Sequence, residues 1–247
     1  MYKIDSRAAM LALLLMAPVL PAAPIIIPAE LAGVEGTSDT SPLGQDGSGR
    51  FQQVYGASLL SGLNADDVIN GLTFRVIGGA DDGVPAQIVP FYEIRLSQSV
   101  NAPGSLSMTF ANNRGADEVI VRSGQLVINA GDFPATPNPG PEPFGTFIGF
   151  TNPYTYQGGN LLLEIAYSGF AIGRGSSEQT GNAAGQQIFT FQHANPSQAT
   201  ADYSETGVFV TALNVNESNV PEPGTWVLFL AGAGLAVLAR VRGTFLS

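Results

Sequence analysis

One pattern dominates the chain between residues 33 and 216: short runs of alternating apolar and polar residues, broken by clusters of Gly, Pro, Asn and Asp. In Gly71–Ile77, Leu72, Phe74 and Val76 alternate with Thr73 and Arg75. In Phe91–Ser97, Tyr92, Ile94 and Leu96 take one face and Glu93, Arg95 and Ser97 the other. Leu161, Leu163, Ile165 and Tyr167 repeat the pattern. A period of two, bounded by turn formers, is the signature of a strand with one buried face. Further candidates are Phe51–Tyr55, Leu106–Phe110, Glu118–Arg122, Gln125–Asn129, Thr146–Phe150, Gln187–Phe191 and Gly207–Val215. No amphipathic helical period is present in this region. The expected fold is therefore all-β, an antiparallel β-sandwich of jelly-roll type.

Composition excludes several chemistries. The chain has no cysteine and one histidine, His193, so thiol catalysis, iron–sulfur clusters, disulfides and a multi-histidine metal centre cannot be built within it. Residues 33–216 hold six arginines against sixteen Asp and Glu, and the only lysine is Lys3. Such a surface offers no basic face for phosphates, so nucleic acid is not an expected partner. No cofactor is expected.

The two ends differ from the middle. Lys3 and Arg7 precede an apolar run from Ala8 to Leu20 and then Pro21-Ala22-Ala23, the layout of a secretory signal peptide. The expected partners there are the export machinery and signal peptidase, with cleavage between residues 23 and 32. At the other end, Pro221, Glu222 and Pro223 lead into an apolar run from Thr225 to Ala239, followed by Arg240 and Arg242. As a helix this run spans roughly 22 Å at ~1.5 Å per residue, short of a ~30 Å hydrocarbon core. Interfacial Trp226 and the arginines as a membrane stop make up the deficit and set a cytoplasmic C-terminus. The expected divisions are a signal peptide at 1–29, a sandwich domain at 33–216, and a tail at 217–247 with a single transmembrane helix.

Val220-Pro221-Glu222-Pro223, the Gly/Ala-rich apolar run and the terminal arginines together resemble the PEP-CTERM sorting signal. That signal occurs on exported proteins of Gram-negative bacteria that make extracellular polysaccharide. The resemblance implies a membrane-embedded sorting enzyme, an exosortase, as partner. It also implies transient anchoring in the inner membrane, then delivery to the cell envelope, cell surface or extracellular matrix. Residues 50–55, 110–117 and 152–164 also resemble a β-rich domain recurring in such proteins, which carries no activity to transfer.

Candidate sites in the middle are few. Asp66-Asp67 and Asp81-Asp82-Gly83 offer hard oxygens but lack the spacing of a dedicated cation loop, and both read equally well as turns, so no metal site is expected. Glu93 and Glu164 fall mid-strand on the polar face, as the paired carboxylates of a glycosidase would, although Arg95 lies beside Glu93. His193 has no serine or acid partner nearby. Tyr154 and Tyr156 stand two apart, so they share a face and offer either a stacking platform for a sugar or a core contact. The expected role is non-enzymatic display or binding, associated with polysaccharide. The alternative is a secreted carbohydrate-active enzyme with the same tail. Two carboxylates in an open groove favour the enzyme, and arginine-paired glutamates favour display.

Overall fold

The alternating runs pair as antiparallel strands. In this computed structural model the residues described are 23–39, 43, 47–77, 83–134, 140–170, 177–180, 183–191 and 193–216. The expected signal helix, Asp81-Asp82, the Pro-Glu-Pro segment, the transmembrane helix and its arginines lie outside them.

The strands in chain order begin with β1 (Ile25–Ile27), β2 (Thr37–Asp39), β3 (Gly47–Tyr55), β4 (Val68–Phe74) and β5 (Gln87–Val89). Next come β6 (Phe91–Gln98), β7 (Val119–Arg122), β8 (Leu126–Ile128), β9 (Ile148–Thr155) and β10 (Leu161–Phe170). The last are β11 (Ser177–Thr180), β12 (Gly185–Phe189), β13 (Tyr203–Thr206), β14 (Val208–Phe209) and β15 (Thr211–Asn216). A four-stranded sheet has the order β1-β15-β4-β9, and a six-stranded sheet the order β13-β12-β3-β10-β6-β7. Two small sheets, β14-β11-β2 and β5-β8, complete the set, which exceeds the eight strands of a simple jelly roll. Among the described residues helical structure is limited to three short 3-10 turns, and no helix is long and apolar enough to cross a membrane.

One hydrophobic core joins the two large sheets. Phe51, Ile94, Leu163 and Ile165 from the six-stranded sheet share it with Ile69, Leu72, Leu213 and Val215 from the four-stranded one. Apart from Ile69, which precedes the expected run Gly71–Ile77, these fall within the expected strands. The side of the assembly where β7 and β9 approach is closed by side chains. Thr151 Oγ1 and Asn152 Nδ2 donate to the carbonyls of Val121 and Ile120, at 3.2 and 3.0 Å.

The expectation of a solvated outer face fails at the centre of the six-stranded sheet. Residues 99–118 and 194–202 fold back over it, and Leu106, Phe110 and Ala201 form a second small core with Val54, Leu162 and Ile188. β10, between β3 and β6, is therefore buried on both faces from Leu161 to Tyr167. Leu106–Phe110, expected as a strand, is instead part of this cover and ends in the 3-10 turn Phe110–Asn113.

The domain also starts earlier than residue 33. Ile25, Ile26 and Ile27 pair with Leu213, Ala212 and Thr211, and the Ile27 side chain is fully buried. The segment after β1 is held by Arg75, whose guanidinium donates to the carbonyls of Leu31 at 3.0 Å and Val34 at 2.7 Å. Arg75, expected on a polar face, lies buried beneath this segment with Phe144 against it.

Candidate functional site

The outer face of the six-stranded sheet carries a cluster of charged residues, Arg50, Glu93, Arg95, Arg114, Glu118 and Glu164. Register places Glu164 of β10 beside Gln52 of β3 and Arg95 of β6. Arg50 enters from β3 two positions along, and Arg114 follows the 3-10 turn. The Glu164 carboxylate, 2% exposed, accepts from Arg50 Nε at 2.9 Å, Arg114 Nε at 2.9 Å and Arg114 Nη2 at 2.8 Å. Gln52 Nε2 adds a 2.5 Å bond and also donates to the Phe110 carbonyl. Asn113 Nδ2 donates to Gln52 Oε1 at 2.8 Å, so the network reaches into the covering turn.

Glu93 is held separately. Arg95 lies 2.7 Å from it and also pairs with Glu118, while its Nε stands 4.0 Å from Glu164. Burial by itself raises the Glu164 pKa, but hydrogen bonds and charge from Arg114 and Arg50 outweigh it and hold the carboxyl below its ordinary range. A general acid needs the opposite shift, so Glu164 is placed as a fixed anion. Beside the cluster is a groove of about 200 Å³ lined by Arg50, Phe91, Glu93, Arg95 and Ser197. A larger groove of about 410 Å³ lies between β8 and the start of β9, away from these charges. Its one carboxylate, Asp132, is occupied by the Asn129 N–H and the Thr146 hydroxyl.

Tyr154 and Tyr156 do share a face, and it is the inner one. Both rings are buried, which corrects the expectation of a stacking platform, because neither ring shows a face to solvent. Tyr154 Oη donates to Asp117 Oδ2 at 2.6 Å and Tyr156 Oη to the Gly159 carbonyl at 2.5 Å. Asp117 also accepts from the Gln98 N–H, so Tyr154 ties β9 to the β6–β7 connection. Among the described residues the most exposed rings are Phe191 (55%) and Tyr203 (42%), with Phe147 (38%) standing apart from them. Tyr203 stacks on Phe189 at 5.4 Å and meets Phe191 edge-on at 4.5 Å. Phe191 was expected inside the strand Gln187–Phe191, but β12 ends at Phe189, and Tyr203 begins an edge strand exposed at every position, so the alternation marked neither ring as exposed.

Asp66-Asp67 forms a turn. Asp66 has φ 73°, and the buried Asp67 carboxylate accepts from the Asn64 N–H at 2.7 Å. Among the described residues no group of three His, Asp or Glu is placed to hold a metal ion. His193 also has positive φ, 61°, and its Nδ1 lies 2.2 Å from where a Cβ on Gly47 would sit, so only glycine fits at 47.

The functional signal lies in the tail, where residues 219–242 match the model of the PEP-CTERM protein-sorting motif. The chain carries the PEP-CTERM sorting signal. Pro221, Glu222, Pro223, Arg240 and Arg242 all fall within the matched span. The PEP-CTERM motif implies an exported protein, processed by an exosortase and sorted through membrane anchoring to the cell envelope or surface. Neither a curated protein nor a solved structure matches the chain.

Proposed function

We propose that the protein is an exported β-sandwich that an exosortase releases from a transient membrane anchor, and that it acts by display and binding rather than by catalysis. The observation carrying the non-catalytic reading is the state of its glutamates. Glu164 is buried and shared by Arg50 and Arg114, and Glu93 is paired with Arg95. A glycosidase needs one carboxyl that keeps its proton and a second that faces the sugar. Neither condition is met by a buried, lowered-pKa anion and an arginine-paired neighbour.

The binding partner in this reading is a neutral polysaccharide. The acidic, lysine-free domain repels polyanions, and Phe191 and Tyr203 supply exposed rings of the kind that pack on sugar faces. Intact-mass measurement of the mature form tests the sorting part. The expected chain has lost Trp226 and everything after it, and Pro221→Ala with Glu222→Ala accumulates unprocessed in the membrane. A double variant that matures and localises like wild type would remove the sorting reading.

A further inference from the structure

Both ends of the described fold leave it at the same pole. β15 ends at Asn216, opposite Val68 at the start of β4, and Val68 lies opposite Thr155 at the end of β9. β1 starts at Ile25, opposite Leu213, on the other side of β15. In the six-stranded sheet, Tyr55, Leu161, Gln98 and Gly185 mark the same pole, since the 56–67 and 156–160 connections cross there from one sheet to the other. These two connections are bonded together. Asp66 N–H donates to the Tyr156 carbonyl and Tyr156 N–H to the Asp67 carbonyl, both at 2.8 Å, while Ala57 N–H donates to Asn160 Oδ1 at 3.0 Å.

Resting on the sorting reading above, we propose that this pole is the surface the domain presents to the sorting enzyme. Only residues 217–220 lie between Asn216 and Pro221. Fully extended, that chain reaches about 18 Å at ~3.6 Å per residue. The eight residues of β6 span about 27 Å at ~3.4 Å each, so Pro221 itself cannot reach the opposite pole and is held near this one. The chemistry of the pole selects a protein over a lipid surface. Neither connection contains Lys or Arg, and Asp66 is exposed, so there is nothing here to attract anionic headgroups. What it presents are the small or amide side chains of Ser61, Asn64 and Gln157, suited to hydrogen bonding with a partner protein.

The absence of cysteine makes the test clean. Single-cysteine variants of the full chain, Ser61→Cys and Gln157→Cys at this pole and Gln125→Cys near the other, are labelled with 5-kDa polyethylene glycol maleimide. Each is presented to the exosortase in vesicles, and tail removal is followed by intact mass. Adducts at 61 and 157 are expected to slow removal at least tenfold and the adduct at 125 to leave it unchanged. A ten-residue Gly-Ser linker after Asn216, adding about 17 Å of mean reach, should restore cleavage of the blocked adducts. Normal processing of the 61 and 157 adducts, or equal blockage at 125, overturns the proposal while leaving the sorting reading standing. Blockage that persists with the linker assigns the effect to something other than pole contact and overturns it too. An unlabelled chain that is never cleaved overturns both.

Discussion

At the residue scale, Glu164 sets the most sensitive chemistry. Removing one partner of a buried ion pair leaves uncompensated charge and costs roughly 3–5 kcal/mol. Glu164→Gln should therefore lower the unfolding free energy measured by denaturant titration by about that much, with Arg50 and Arg114 left facing an amide. The pH dependence has a definite sign. The folded pKa lies below the ordinary range of a glutamate carboxyl, so the stabilisation is present above that range and is lost as pH falls through the lower folded value. Acid titration of stability should show a steeper low-pH limb in wild type than in Glu164→Gln, and parallel limbs would refute the assignment. Tyr154→Phe removes a single bond to Asp117 and is expected to cost about 1–2 kcal/mol by thermal unfolding. The alternation showed that Tyr154 and Tyr156 share a face. It could not show which side was the core, because the deciding contacts come from Asp117 and the β6–β7 connection, far away in sequence.

At the scale of elements, β4, β6 and β10 were legible because each carries a strong apolar period between turn residues. β1, β2 and β5 were not: three residues are too few to display a period, and Ile25–Ile27 has no alternation at all. The sequence therefore suggested cleaving within a segment that the fold uses. Cutting after Ala29 would remove β1, and with it the fully buried Ile27. N-terminal sequencing of the exported form should accordingly find a start at Ala23 or Pro24. A start at Glu30 or Gly33 would contradict it. Ile27→Asp, which buries an unpaired charge beside Thr211, should cost upwards of roughly 3 kcal/mol and reduce the exported yield.

At the scale of the molecule, the class of fold and the address were readable, and the surface was not. The tail motif is local in sequence, so its residues suffice to reveal it. The outer face of the six-stranded sheet depends on which loops return to cover it, and so the glutamates that looked solvated are partly enclosed. The exposed rings follow from which strand ends up at the edge. Phe191→Ala with Tyr203→Ala should leave the fold intact, because both side chains are largely outside the core, and should weaken retention in gels containing neutral polysaccharides such as dextran or galactomannan. Unchanged retention would remove the rings from the binding reading.

The position of β15 ties the order of export to the order of folding. Among the described residues the last strand made is an inner one, inserted between β1, the first, and β4. A chain crossing the membrane from its N-terminus holds an open gap in its four-stranded sheet until residue 216 emerges, and the sorting signal follows immediately. A truncated product lacks both the closing strand and the address. The closing strand, residues 211–216, and the matched sorting motif, residues 219–242, are separated by only two residues, so a truncation that removes the strand removes the motif with it.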